Sequence, residues 1–288
     1  LLLEERSAGE IQIKKFYIRR ILRIWPLYYL ILICSVITMI LMKEELALGS
    51  LLMYIFYAAN IPFIIGTALP LLAHYWSLGV EEQFYLFWPW VIKKIKQPIP
   101  ILISATLFLI STKVICHIFY PHSLLENIIH ITRFHCMMIG GIAAIWYRER
   151  NILFLKIVNH KIVQLLCWAV VILLMANKFH LASVIDNELV SLVAVGLIIG
   201  QISEKRPMFS LEKPIFNLIG RISYGIYVIH PLLIFLLSKL VIFHAMPIVL
   251  IYVLTITITI ICAYFIYEYF ERPFLRLKSR FMVVKSKS

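Results

Sequence analysis

Long apolar runs alternate with short basic ones along the chain. A bilayer core takes about 20 apolar residues per helix, with a range of 17 to 25. Eight runs meet that length, over residues 24–42, 76–93, 99–119, 131–147, 161–177, 186–202, 217–239 and 247–269. A further run, 50–65, is broken by Asn60-Ile61-Pro62 and followed by Gly66 and Pro70, so it is expected to be re-entrant or interfacial. The pattern predicts an all-α, polytopic transmembrane helix bundle. Residues 1–23 are expected to form a cytoplasmic amphipathic connector, 24–271 the transmembrane domain, and 272–288 a basic cytoplasmic tail, frayed from Lys278. No internal repeat is evident, and many transporters carry one.

Charge orients the runs. The chain has 288 residues, 62% hydrophobic and 15% charged, against about 25% charged in a soluble domain. Its net charge is +13, but the basic residues lie between apolar runs, where they orient helices, and form no stripe for nucleic acid. With eight spans and the amino end inside, all Lys and Arg fall in the inner half except Lys43, Lys113, Arg133, Lys178 and Lys239. Counting 50–65 as a span would place Lys93, Lys94 and Lys96 outside, against the positive-inside rule. Both termini are then cytoplasmic, and the expected location is a bacterial inner (plasma) membrane. The cysteines Cys34, Cys116, Cys136, Cys167 and Cys262 all sit in apolar runs without a C-x-x-C pair, as small packing residues do. No metal site and no bound cofactor are expected.

The run Trp76-Ser77-Leu78-Gly79-Val80-Glu81-Glu82-Gln83-Phe84-Tyr85-Leu86-Phe87-Trp88-Pro89 puts two carboxylates into an aromatic, apolar span. A carboxylate at mid-membrane costs roughly 2.5 to 3.5 kcal/mol on insertion scales and marks a functional site by default. On a helix the two glutamates differ by about 100°, so Glu82 groups with Tyr85 and Pro89, and Glu81 with Ser77 and Trp88. A structural ion pair with a neighbouring span, or a catalytic or substrate-positioning role, fits either of them. Arg133, at the outer end of its run, is the first candidate partner, because it and the glutamates are expected in the outer half. It precedes Gly140 and Ala144, whose spacing forms a small-xxx-small packing face. Lys113 and His117 are weaker candidates.

Three further stretches carry chemistry. In Arg19-Arg20-Ile21-Leu22-Arg23-Ile24-Trp25-Pro26, Arg20 and Arg23 share a helix face. Two guanidinium forks at the cytoplasmic mouth suit a phosphate-bearing ligand, and a simple positive-inside anchor accounts for the same residues. In Ile222-Ser223-Tyr224-Gly225-Ile226-Tyr227-Val228-Ile229-His230-Pro231, Ser223, Tyr227 and His230 fall on one face beside a proline kink. His230 can work as acid or base near neutral pH, or serve as a hydrogen-bonded packing residue. In Tyr267-Glu268-Tyr269-Phe270-Glu271-Arg272-Pro273, Glu271 beside Arg272 and Pro273 reads as a helix stop with local charge pairing.

These stretches, in this order, resemble the acyltransferase-3 family of integral membrane O-acyltransferases. The likeness rests on Arg20 to Pro26, the 76–89 run, Ser223 to Pro231 and Glu271-Arg272-Pro273. It implies an acyl-CoA co-substrate, usually acetyl-CoA, and an acceptor hydroxyl on a surface glycan, peptidoglycan, a lipid-linked sugar or a small molecule. It places Arg20 and Arg23 near the donor, and Glu82, Arg133 and His230 in or beside the active bundle; Glu81 and Tyr227, on the same stretches, complete the candidate set. Family members carry two more spans at the amino end, with the catalytic His in the first. By that likeness the catalytic His is expected upstream of Leu1, and no residue of this chain is assigned its role. The resemblance therefore implies a chain lacking those spans and inactive by itself, with His230 matching a different family histidine. No stretch of these 288 residues is expected to form the added extracytoplasmic esterase-like domain that some relatives carry. Two rival classes use the same intramembrane charges: a transporter or exporter of a small solute, and a non-catalytic subunit of a glycan-synthesis complex.

Overall fold

A computed structural model describes residues 2–9, 11–203, 207–240 and 246–283. Leu1, upstream of which the family's catalytic histidine is expected, lies outside the described residues, so the structure does not bear on that expectation. Residues 204–206 of the expected inner segment and residues 284–288 of the expected tail lie outside them too. The fold is all-α, with no strand among the described residues. Its helices are α1 (Leu2–Ser7), α2 (Ile13–Leu41), α3 (Leu48–Ile55), α4 (Asn60–Ile64), α5 (Trp76–Lys94), α6 (Pro98–Phe119), α7 (Leu124–Thr132), α8 (Phe134–Arg148), α9 (Ile152–Val158), α10 (Lys161–Met175), α11 (Asp186–Ser203), α12 (Pro214–Ser238), α13 (Ile248–Ile266) and α14 (Arg272–Ser279). A 3₁₀ turn, Pro70–Tyr75, leads into α5, and a π turn, Tyr267–Glu271, joins α13 to α14.

Among the described residues, six helices are long and apolar enough to cross a membrane, or up to seven if α9 and α10, bent by 53°, form one span. The eighth expected run is the 19-residue helix α5, where Glu81, Glu82, Gln83, Lys93 and Lys94 lower the hydropathy below that of its neighbours. The second half of the expected connector is the first turns of α2, not a separate element. Its first half, α1, is tied down by a buried pair in which Arg19 Nη2 donates to Glu5 Oε1 at 2.6 Å.

The chain forms two compact units, residues 1–83 with 213–288, and residues 84–212. The first has a tyrosine-rich core. Tyr28, Tyr54 and Tyr75 have no exposed surface, and Tyr28 stacks on Tyr57 at 4.1 Å between centroids. Residues 48–64 form the expected non-spanning segment, two short helices of 8 and 5 residues, broken at Tyr57 with φ of 58°. A broken helix leaves carbonyls without amide partners, which an apolar setting penalises. Here side chains take them up. The Tyr29 hydroxyl donates to Ile55 O at 2.8 Å and Gln83 Nε2 to Tyr57 O at 3.2 Å, while the Tyr28 hydroxyl adds a second donor at 2.7 Å to Tyr54 O, which also accepts from Tyr57 N at 3.2 Å.

In the second unit, α8 packs on α6 and α11, and α11 on α10. Close approach comes at Gly141, Gly196 and Gly200. An added Cβ would sit 2.4 Å from Trp88 Cη2, 2.8 Å from Cys167 Sγ and 2.4 Å from Gln164 Nε2, respectively. The small face expected to pack was that of Gly140 and Ala144. Both are exposed, and nothing lies within 4 Å of a Cβ built on Gly140. The packing face of α8 is rotated one residue onward because Trp88 fills the space over Gly141.

Candidate active site

The 76–89 run docks through its polar residues. Gly79 and Gln83, one turn apart, face the broken segment. A Cβ on Gly79 would lie 3.0 Å from Tyr57 O and 3.2 Å from Asn60 Oδ1. Gln83 and Asn60 exchange amide hydrogen bonds, with Gln83 Nε2 donating to Asn60 Oδ1 at 2.8 Å and Asn60 Nδ2 to Gln83 Oε1 at 3.2 Å. Sequence marked Asn60 only as a break in its run and Gln83 only as part of the 76–89 stretch, since an isolated amide in a long run carries no signal of its partner.

Docking in this way sets the two carboxylates against α2. Arg20 Nη2 donates to Glu82 Oε1 at 2.5 Å and to Glu81 Oε1 at 3.2 Å, and Arg20 Nε donates to Glu82 Oε1 at 3.2 Å. The Glu82 side chain is 16% exposed and that of Glu81 41%. Sequence spacing put Arg20 at the cytoplasmic mouth and the glutamates in the outer half. Direct contact puts all three at one depth. Antiparallel pairing of the two stretches explains it, since Tyr75 likewise meets Tyr28. Arg133 belongs to the second unit. It sits between α7 and α8 with φ of 48°, and its Nε donates to His130 O at 3.1 Å. Lys113 is buried and donates to Glu188 Oε1 at 2.8 Å, with His135 Nε2 also 2.8 Å from that oxygen. His117 Nδ1 lies 2.7 Å from Glu126 Oε1. Arg23 is exposed, within electrostatic reach of Lys278 and Glu271.

The α12 stretch forms the second half of the site. Pro231 cannot donate an amide, so the Tyr227 carbonyl is released. His230 Nδ1 takes it at 2.8 Å. A carbonyl only accepts, so Nδ1 carries a hydrogen, which in the neutral ring leaves the lone pair on Nε2. Tyr227 donates its hydroxyl to His74 O at 2.6 Å and lies 2.5 Å from Ser77 Oγ. His74 stands between the two, its ring 5.2 Å from that of His230 and 5.3 Å from that of Tyr227. Burial first, and then the His230 ring beside it, push the His74 imidazole down to about 4, so it is neutral at physiological pH. Ser223, expected on this face, is exposed, and its hydroxyl donates to Gly220 O in its own helix. Tyr224 points inward in its place and donates to Ile24 O at 2.8 Å.

Glu271 was expected to pair locally with Arg272 at a helix stop. The chain instead continues as a π turn into α14. Arg272 pairs with Glu268, one turn back. Glu271 is buried, and its Oε1, without a hydrogen-bond partner among the described residues, would lie 3.2 Å from a Cβ on Gly225. Single-turn π insertions recur at functional sites.

Residues 6–268 match the acyltransferase-3 family, described as an acyltransferase domain, and the chain belongs to that family. It is 34% identical over 101 residues to the peptidoglycan O-acetyltransferase OatA of Listeria monocytogenes, covering 31% of this chain and 16% of that protein. It is 35% identical over 88 residues to YrhL of Bacillus subtilis, provisionally named a peptidoglycan O-acetyltransferase, covering 26% of this chain and 14% of that one. The matches thus span under one-fifth of the length of these relatives. No solved structure matches the chain. Family membership and the long apolar helices define an integral membrane protein.

Proposed function

We propose that this protein is a membrane O-acyltransferase that moves an acyl group, acetyl in the simplest case, from acyl-CoA to a hydroxyl of a cell-surface glycan such as peptidoglycan. The observation that carries this reading is the family match over residues 6–268, inside which Arg20, His74, Glu81, Glu82, Tyr227 and His230 all fall. The names of OatA and YrhL support a glycan acceptor. The proposed seat is a bacterial plasma membrane with both termini cytoplasmic, on the strength of the charge bias along the chain.

Arg23 and Lys278 are the groups proposed to meet the donor phosphates, as exposed or half-exposed cations close to one another. Arg20 is held by Glu81 and Glu82, which suits it to ordering α2 and α5 beside the donor more than to gripping phosphate. His230 Nε2 and the Tyr227 hydroxyl are proposed to lie beside the acceptor hydroxyl. The test is transfer by the full-length protein in lipid vesicles, given labelled acetyl-CoA and peptidoglycan fragments. Alkali-labile label on glycan hydroxyls is expected, with Arg23→Ala raising the KM for the donor. No transfer to any hydroxyl acceptor from folded protein would overturn the reading, and solute flux without acyl donor would favour a transporter.

A further inference from the structure

We propose that His74 is a positioning residue for His230, holding its ring and tautomer at the site of acyl transfer. The functional half of this inference rests on the function proposed above, and the structural half stands without it.

Four contacts fix His74 to one turn of α12. Its Nε2 lies 3.3 Å from Val228 O, its carbonyl accepts the Tyr227 hydroxyl, and its ring packs edge-on against both Tyr227 and His230. Since Val228 O only accepts, Nε2 carries the ring hydrogen and Nδ1 the lone pair. That lone pair is buried and has no hydrogen-bond partner among the described residues. Buried polar atoms are nearly always paired, and leaving one unpaired costs roughly 1 to 3 kcal/mol. A leucine here would fill the space without that cost. The imidazole stands where it abuts the other histidine of the site.

The two rings are complementary. His230 gives its Nδ1 hydrogen to the carbonyl freed by Pro231, and His74 gives its Nε2 hydrogen to the carbonyl of the next residue. Each imidazole is thereby set in a single tautomer by neighbouring carbonyls of α12. Two charged imidazoles at a ring separation of 5.2 Å in a poorly solvated site repel strongly. The pair therefore does not hold two positive charges, and burial keeps His74 neutral. In sequence His74 is a lone histidine ahead of the Trp76 run, with nothing to join it to a residue about 150 positions away.

The test uses full-length protein in lipid vesicles, with His74→Gln and His74→Phe. Gln keeps an N–H at the Nε2 position for Val228 O but has no ring and no lone pair at Nδ1. Phe keeps the ring and removes both nitrogens. Ring ¹⁵N spectra of histidine-labelled protein report the His230 tautomer whether or not transfer occurs. The wild type is expected to show His230 as the Nδ1–H form. Both variants, at unchanged melting temperature, are expected to give a mixed or shifted His230 signal and a transfer rate at least tenfold lower. An unchanged His230 signal in both folded variants would overturn the positioning role even if the wild type transfers nothing. A shifted signal with an undiminished rate would overturn its bearing on transfer. A wild type silent in transfer, with the signal shifted in the variants, would count against the proposed function and leave the positioning role standing.

Discussion

Arg20 and Glu82 meet end on, with Nη2 2.5 Å from Oε1 and Nε 3.2 Å from the same oxygen, while Glu81 reaches the guanidinium from the side. One cation thus serves two carboxylates in a half-buried setting. Removing it leaves both anions facing each other without a partner, a larger penalty than removing either acid. Arg20→Met is therefore expected to lower the melting temperature more than Glu82→Gln, and Glu82→Gln more than the better exposed Glu81→Gln. In a double-mutant cycle, Arg20 and Glu82 should couple by roughly 1 to 3 kcal/mol. Arg20→Lys should recover only part of the loss, since an ammonium lacks the fork that uses Nε and Nη2 together. Additive single-mutant effects would contradict the pairing.

Gln83 is expected to matter more than an amide in an apolar helix ordinarily does. It covers the Tyr57 carbonyl and exchanges bonds with Asn60. Gln83→Leu would leave that carbonyl and the Asn60 amide unsatisfied, at about 1 to 3 kcal/mol. Limited proteolysis or amide exchange should then reveal faster opening of residues 48–64 with little change in α6 or α8. Equal protection in the variant would show that the segment does not depend on this cap.

Gly141 faces Trp88 with no room for a methyl group. Overpacking of this kind costs typically about 1 to 3 kcal/mol, so Gly141→Ala should destabilise the protein while Gly140→Ala, in open space, should not. Trp88→Leu should relieve much of the Gly141→Ala defect. Thermal unfolding in detergent of the two single variants and the double variant decides it, and equal effects at both glycines would argue against the observed rotation of α8.

Lys113 is the counter-charge of Glu188 in the second unit, with His135 against the same oxygen. Breaking a buried pair costs about 3 to 5 kcal/mol, while replacing both members by apolar groups is often neutral. Lys113→Met should therefore be poorly folded, and Lys113→Met with Glu188→Leu should recover stability. Size-exclusion profiles and melting temperatures read the difference, and failure of the double variant to recover would assign Glu188 a role beyond charge balance.

Amino-acid order alone determined the class of the fold. Apolar run length is a local property, and a bilayer leaves few ways to satisfy the backbone, so the all-α membrane bundle and the interruption at 50–65 were legible without coordinates. The family resemblance was legible for the same reason, because its motifs are short and contiguous. Only tertiary structure decided the pairings. Arg20 is a cation seen at Glu81 and Glu82, Gly141 rather than Gly140 is the packing glycine, and His74 and Tyr224 are inward groups that spacing did not mark. A side chain's partner depends on how far one helix slides and turns against another. One residue of rotation, about 100°, sends a group from lipid to core, and no local pattern in these long apolar runs fixes that angle.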